Sequence, residues 1–207
     1  MTLPIKRFKD IKKLDPQTKP EAYLPRNWKG TALDILRMEV PDHIERICIV
    51  LRNDWLDEID LRRFADICAR RAAEVLTNPP ACVPEALERS RTYLETGDWD
   101  ELGRLIYNSG YALSVWWKEA TNADPATSYA SSALTALTSA NAANAAFYAH
   151  GSAGLAIAFH NTGNARLGLN PTREEIDDWN EAMHKATIQA QKNLIAEFCT
   201  VLKAHHS

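Results

Sequence analysis

The chain has 207 residues, of which 45% are hydrophobic and 25% are charged, and its formal net charge is −3. This balance is close to that of an ordinary globular protein and provides enough apolar material for a core. The 4 cysteines show neither CxxC pairing nor zinc-finger spacing, and the first residues contain no apolar segment. We therefore expect reduced thiols, a cytoplasmic protein and no secretory signal.

Residues 1–30 differ from the rest of the chain in charge and in proline content. They carry eight basic residues against three acidic ones, whereas the remaining residues carry sixteen against twenty-four. Four prolines and the lack of periodicity predict an extended basic leader over 1–30, anchored by Tyr23 and Trp28, and a single domain over 31–207. A basic leader can contact nucleic acid, a partner or its own acidic body, and we favour the body.

Helical periodicity predicts three helices before residue 97. The segment 41–54 predicts a short helix, with Pro41 in its first turn. A long apolar stripe predicts a second helix that begins near Asp57 or Asp60. A third helix is predicted over 84–96, and Gly97 follows it as a natural C-terminal cap.

The segment "DWDE" predicts the start of a fourth helix. Asp98 and Glu101 stand three residues apart, as in a capping box. Apolar and small residues at helical spacing predict the buried face of this helix: Leu102, Leu105, Ile106, Ser109, Leu113, Trp116, Trp117 and Ala120.

A long stretch without charge follows, from Pro125 to Ala165. A membrane span is excluded, because Ser, Thr and Asn fill the gaps between the alanines and an unpaired polar group in lipid costs several kcal/mol. Since alanine is the best helix former, the stretch 126–149 predicts a buried central helix, with a break at His150–Gly151. Ala140 and Ala145 are both predicted to be packed, and Asn141 and Asn144 are either satisfied buried amides or exposed.

The last helix is predicted from residue 172 onward. Thr172 and Glu175 form a second capping box, and an apolar stripe then continues for seven turns: Ile176, Trp179, Met183, Thr187, Ala190, Leu194, Phe198 and Val201. No convincing strand occurs. The expected fold class is all-α, a multi-helix bundle around a central alanine-rich helix.

Motifs for catalysis or for metal binding are missing from the sequence. It has no GxSxG, no nucleotide-binding glycine loop and no His pair at metal-ligand spacing. His150, His160 and His184 can converge on a metal only if separate helices bring them together, and three unrelated histidines are the simpler interpretation. We therefore expect no metal, no cofactor and no catalytic residues.

Two segments resemble a known family. "LRRFADICARRAAEVL" (61–76) and "VPEALERSRTYLETGDW" (83–99), followed by the alanine-rich array at 120–158, resemble the Imm5-type immunity proteins of bacterial polymorphic toxin systems. The likeness covers roughly residues 42–160. The array of this chain carries Ser, Thr and Asn where Arg and Trp are frequent in the family, and a long C-terminal helix is added.

The resemblance implies a non-catalytic, cytoplasmic immunity protein that binds and neutralises a cognate toxin, as a monomer or dimer without membrane or direct nucleic-acid contact. Mild acidity of the body suits a basic toxin. The candidate partner-binding residues are the acids of three helix starts: Asp57, Glu58 and Asp60; Asp98, Asp100 and Glu101; Glu174, Asp177 and Asp178. The alternatives are a metal-dependent enzyme using His150, His160 and His184, and a helical scaffold or oligomer subunit.

Overall fold

A computed structural model describes residues 3–14, 24–38, 47, 49–52, 54–162 and 171–207. Strands β1 (Lys6–Arg7) and β2 (Lys29–Gly30) pair antiparallel, and helix α1 (Phe8–Leu14) follows β1 directly. The predicted leader is therefore extended only in part. Helix α2 (Ala32–Leu36) follows β2 and is capped by Thr31.

The N-terminal segment packs on the rest of the molecule. Phe8, Ile11 and Leu24 belong to the hydrophobic core, and the ring of Trp28 lies 6.3 Å from that of Trp55. The other predicted anchor, Tyr23, lies outside the described residues, as does most of the helix predicted over 41–54.

Helices α3 (Glu58–Ala73) and α4 (Cys82–Thr96) form where the apolar periodicity predicted them. The Asp57 carboxylate caps α3 by accepting a hydrogen bond from the backbone N–H of Asp60 at 2.8 Å. Gly97 ends α4 with a φ of 70°, a left-handed conformation that glycine adopts at low cost.

The next helical stretch has three parts: α5 (Trp99–Arg104), a π-helical turn (Leu105–Ser109) and α6 (Gly110–Ala120). Asp98 caps it by accepting from the backbone N–H of Asp100 at 2.9 Å. Much of the predicted inner face is buried, but Trp117 is an exposed residue, contrary to prediction.

The alanine-rich stretch forms two helices, α7 (Pro125–Leu137) and α8 (Ala142–Asn161). The chain breaks over 138–141 and runs as a continuous helix through His150–Gly151, so the predicted position of the break was wrong. Asn141 is exposed and caps α8 by accepting from the backbone N–H of Asn144 at 2.9 Å. Ala140 lies exposed in the turn, against expectation, whereas Ala145 is fully buried.

Helix α8 is the centre of the molecule and packs against α3, α7 and α9 (Arg173–His206). Its small side chains let these neighbours approach closely. On one side Phe64 of α3 stacks on Phe198 of α9, with ring centroids 4.4 Å apart, and lies 5.4 Å from His150 of α8. The predicted all-α bundle around an alanine-rich helix is confirmed.

Helix α9 begins with the predicted capping box between Thr172 and Glu175. Its second half supplies most of its buried residues, while Ile176 in the first turns is exposed. Among the helices in the described part of the chain, none combines the length and the hydropathy needed to cross a bilayer.

Candidate partner-binding surface

The first two predicted groups of acids lie at the starts of helices α3 and α5, which both pack against α4. The link between them is Tyr93 on α4, whose ring lies 6.0 Å from that of Trp99 at the start of α5. Burial raises the pKa of Tyr93, the Glu58 carboxylate raises it further, Arg62 lowers it and Asp57 raises it. Helix α4, which carries Tyr93, packs against both α3 and α5, so the first two groups of acids begin helices with a common neighbour.

We call the exposed part of this region the Trp99 surface, defined by Asp57, Glu58, Asp98, Trp99 and Asp100. The Trp99 side chain is 66% exposed and stands between two acids in sequence. Asp57 and Asp98 each accept a capping hydrogen bond. Both residues remain exposed while they cap, so the surface combines a large aromatic ring with acidic side chains.

Further aromatic side chains continue along the same helical stretch. Tyr107 is 77% exposed in the π-helical turn, and Tyr111 is 74% exposed one turn later in α6. Val115 is exposed as well and follows at the same four-residue spacing, which keeps all three near one side of the helix. π-helical turns occur frequently at functional sites, and this one carries Tyr107.

Two predicted site residues do not belong to the exposed surface. Asp60 is only 1% exposed and faces His205 and His206 of α9. Glu101 is largely buried and pairs with Arg104 and, at 3.5 Å, with Arg89. The Asp60 carboxylate is therefore enclosed in the molecule, whereas that of Glu101 is bound by two arginines. Glu101 does not complete a capping box with Asp98, so its predicted capping role was wrong.

Glu58 is shared between the surface and the interior. Its carboxylate lies 3.5 Å from the guanidinium of the buried Arg62. Burial lowers the pKa of Arg62, and the nearby Glu58 opposes this effect. Reversing the charge of Glu58 would therefore disturb the fold as well as the surface, whereas Asp100 is exposed and does not have this second role.

The third predicted group lies far from the start of α3. Glu174, Asp177 and Asp178 are exposed in the first turns of α9, while the far end of that helix contacts Asp60 at the start of α3. The residues from Asp178 to His205 span roughly 40 Å at about 1.5 Å per residue. That distance exceeds the width of a standard interface patch of about 800 Å² per partner.

The three histidines of the metal-enzyme alternative divide between two clefts. His150 and His184 line a cleft of about 380 Å³ between α8 and α9, together with Phe147 and Tyr148. His160 lines a different cleft, of about 450 Å³, near Arg71 and Glu197. Within the described ranges, the group with convergent metal-ligand geometry is instead Asp60, His205 and His206.

Comparison with known proteins adds no relative. No family model, curated protein or solved structure matches the chain.

Sequence reasoning found the acids of the Trp99 surface but missed its aromatic residues. The available signal was that Trp99, Tyr107 and Tyr111 fall outside the predicted buried stripe of the fourth helix. Large aromatic residues off an apolar stripe are candidates for contact with a partner.

Proposed function

We propose that the chain is a non-catalytic immunity protein that binds and neutralises a bacterial toxin domain, using the Trp99 surface as its main contact. The observation that carries the proposal is the exposure of Trp99 beside the carboxylates of Asp98 and Asp100. The resemblance of residues 42–160 to Imm5-type immunity proteins supplies the class of partner.

The composition of the surface supports binding to a protein. Tryptophan and tyrosine are enriched among the residues that dominate binding energy at interfaces, because each buries a large area and loses few rotamers. Carboxylates around such a centre favour a basic partner and speed its association. The partner expected from this chemistry is a toxin domain with a positively charged face.

The enzyme alternative has less support. Its three histidines are split between two clefts, and His150 is buried against Phe64. A helical scaffold is the other alternative, in which a second copy of the chain would cover the aromatic residues. Light scattering separates that case, since an oligomer that Trp99→Ala converts to a monomer would contradict a toxin contact.

A growth-protection experiment tests the proposal. The toxin domain encoded beside the gene of this chain is expressed in bacteria from an inducible promoter, with and without the chain. We expect the wild-type chain to restore growth, and the double variant Trp99→Ala/Asp100→Lys to fail. The side chain of Trp99 is mostly exposed, so its removal should leave the fold intact.

Asp178→Lys provides the matched control, because it makes the same charge reversal far from the Trp99 surface. It should protect as well as the wild type. If the wild-type chain gives no protection, or if no toxin domain is encoded there, the immunity proposal is wrong. If all three proteins protect equally, the Trp99 surface is not the contact.

A further inference from the structure

The C-terminal turn of α9 brings two histidines onto one buried carboxylate. His205 Nδ1 lies 3.2 Å from Asp60 Oδ1, and His206 Nε2 lies 2.7 Å from Asp60 Oδ2. Asp60 is 1% exposed, and the three potential ligand atoms lie within 4.8 Å of one another. Adjacent histidines therefore meet an acid that stands 145 residues earlier in the chain.

We propose that Asp60, His205 and His206 form a binding site for a divalent transition-metal ion, with zinc as the natural probe. Imidazole nitrogens and a carboxylate oxygen are common zinc ligands, with bonds of about 2.0–2.2 Å. Ligand atoms around a tetrahedral ion with such bonds stand roughly 3.4 Å apart. The three atoms need to move by little more than an ångström to surround an ion.

Each of the three proposed ligands is held in place by its helix. Asp60 is fixed in the first turn of α3, where its backbone N–H donates to Asp57. The histidines are held by the same helical turn of α9, with ring centroids 4.9 Å apart. The ion would link the start of α3 to the end of α9.

Three protein ligands leave a fourth position for water or a small anion. His206 also lines a cleft of about 340 Å³, formed with Leu3, Ile5, Thr31, Leu33 and Lys203. This cleft gives a small molecule access to the fourth position, and Lys203 brings a positive charge that suits an anion.

Arg63 opposes a cation at this site more directly than Lys203, because it pairs with the Asp60 carboxylate itself. Its Nη1 lies 3.7 Å from Asp60 Oδ1, so its charge lowers the affinity for a metal ion. This makes a sharp prediction, since Arg63→Gln should bind zinc more tightly than the wild type. A chance histidine on the surface would not respond to this change.

The test is calorimetric titration of zinc into the full chain, purified without a histidine tag and freed of metal by dialysis against a chelator. We expect one zinc ion per chain. His205→Gln and His206→Gln should each weaken binding by roughly tenfold or more. His160→Gln should not change it, because His160 lines a different cleft, near Arg71 and Glu197. Cobalt bound at the site should show the absorption of a tetrahedral ion.

Melting temperatures give a second readout that does not depend on a destabilised variant. At one fixed zinc concentration, zinc should raise the melting temperature of the wild type and of His160→Gln, and it should raise that of His205→Gln by less. His205 is exposed, so its replacement should not prevent folding. The proposal is overturned by the absence of saturable binding, or by binding that is the same in the His205→Gln/His206→Gln double variant.

Discussion

Arg62 is a buried cation that binds the backbone of a distant turn. Its guanidinium donates to the carbonyl of Ser139 at 2.6 Å and to that of Ala140 at 2.9 Å, while Glu58 lies 3.5 Å away. These carbonyls lie in the turn that separates α7 from α8. The side chain supplies the hydrogen bonds that the chain gives up by breaking its helix there.

We expect Arg62→Met to lower the free energy of unfolding by about 3 kcal/mol. The reason is that hydrogen bonds from a charged donor are lost and the two carbonyls are left without that partner. Chemical denaturation followed by circular dichroism measures the change.

Arg91→Met is the matched control. Arg91 forms exposed ion pairs with Glu88 and Glu95, which contribute little to stability, so its denaturation midpoint should stay where it is. Equal losses in the two variants would show that Arg62 has no special role in the turn.

At the scale of the elements, the packing of α8 rests on how closely its small residues allow neighbours to approach. A Cβ atom added at Gly154 would lie 2.5 Å from the Cγ of Gln191 on α9. At Gly151, one turn earlier on the same helix, an added Cβ meets nothing within 4 Å. Close packing against Gln191 therefore requires glycine at position 154, whereas the space around Gly151 would accept a larger residue.

This difference predicts opposite effects of one substitution. Gly151→Ala should raise the free energy of unfolding by about 0.5–1 kcal/mol, because alanine restricts the unfolded chain and favours the helix. Gly154→Ala should lower it by about 1–3 kcal/mol, because Gln191 is buried and must be displaced. Denaturation midpoints measure both, and a stabilising Gly154→Ala would show that α8 and α9 pack less closely than described.

Local sequence patterns predicted most of the helices, but they could not predict contacts between residues far apart in the chain. Asp98, Gly97 and Thr172 act within one turn of their own position, so sequence alone identified these caps. For α3 it left the start open between Asp57, which is the cap, and Asp60. The break at 138–141 could not be predicted, because alanine favours a continuous helix and the side chain that fixes the turn, Arg62, comes from α3. The predicted break at His150–Gly151 failed because the interior of α8 accepts a glycine whose surroundings are open.

At the scale of the whole molecule, helix length decides which acids can work together. The sequence predicted three helix starts rich in acids, but the distances between them could not be derived from it. The structure packs α4 against both α3 and α5, and it holds the start of α9 far from Asp60. It also places Asp60 in the interior, where it meets the end of the chain. Such meetings of remote segments depend on tertiary packing, which a single sequence does not display.

If the proposed function is right, substitutions on the Trp99 surface weaken toxin binding, and substitutions at the start of α9 do not. Trp99 and Asp100 lie on the Trp99 surface, and Asp178 lies at the start of α9. Truncation of a central interface tryptophan costs about 2 kcal/mol or more, which is roughly a thirtyfold change in the dissociation constant.

The most direct measurement is the dissociation constant of the toxin domain for four purified proteins: wild type, Trp99→Ala, Asp100→Lys and Asp178→Lys. We expect Trp99→Ala to weaken binding by roughly thirtyfold or more. Asp100→Lys should slow association with a smaller salt dependence, and Asp178→Lys should bind as the wild type does, with all melting temperatures similar. Unchanged binding by Trp99→Ala, or a larger loss from Asp178→Lys than from Asp100→Lys, would show that the toxin does not bind at the Trp99 surface.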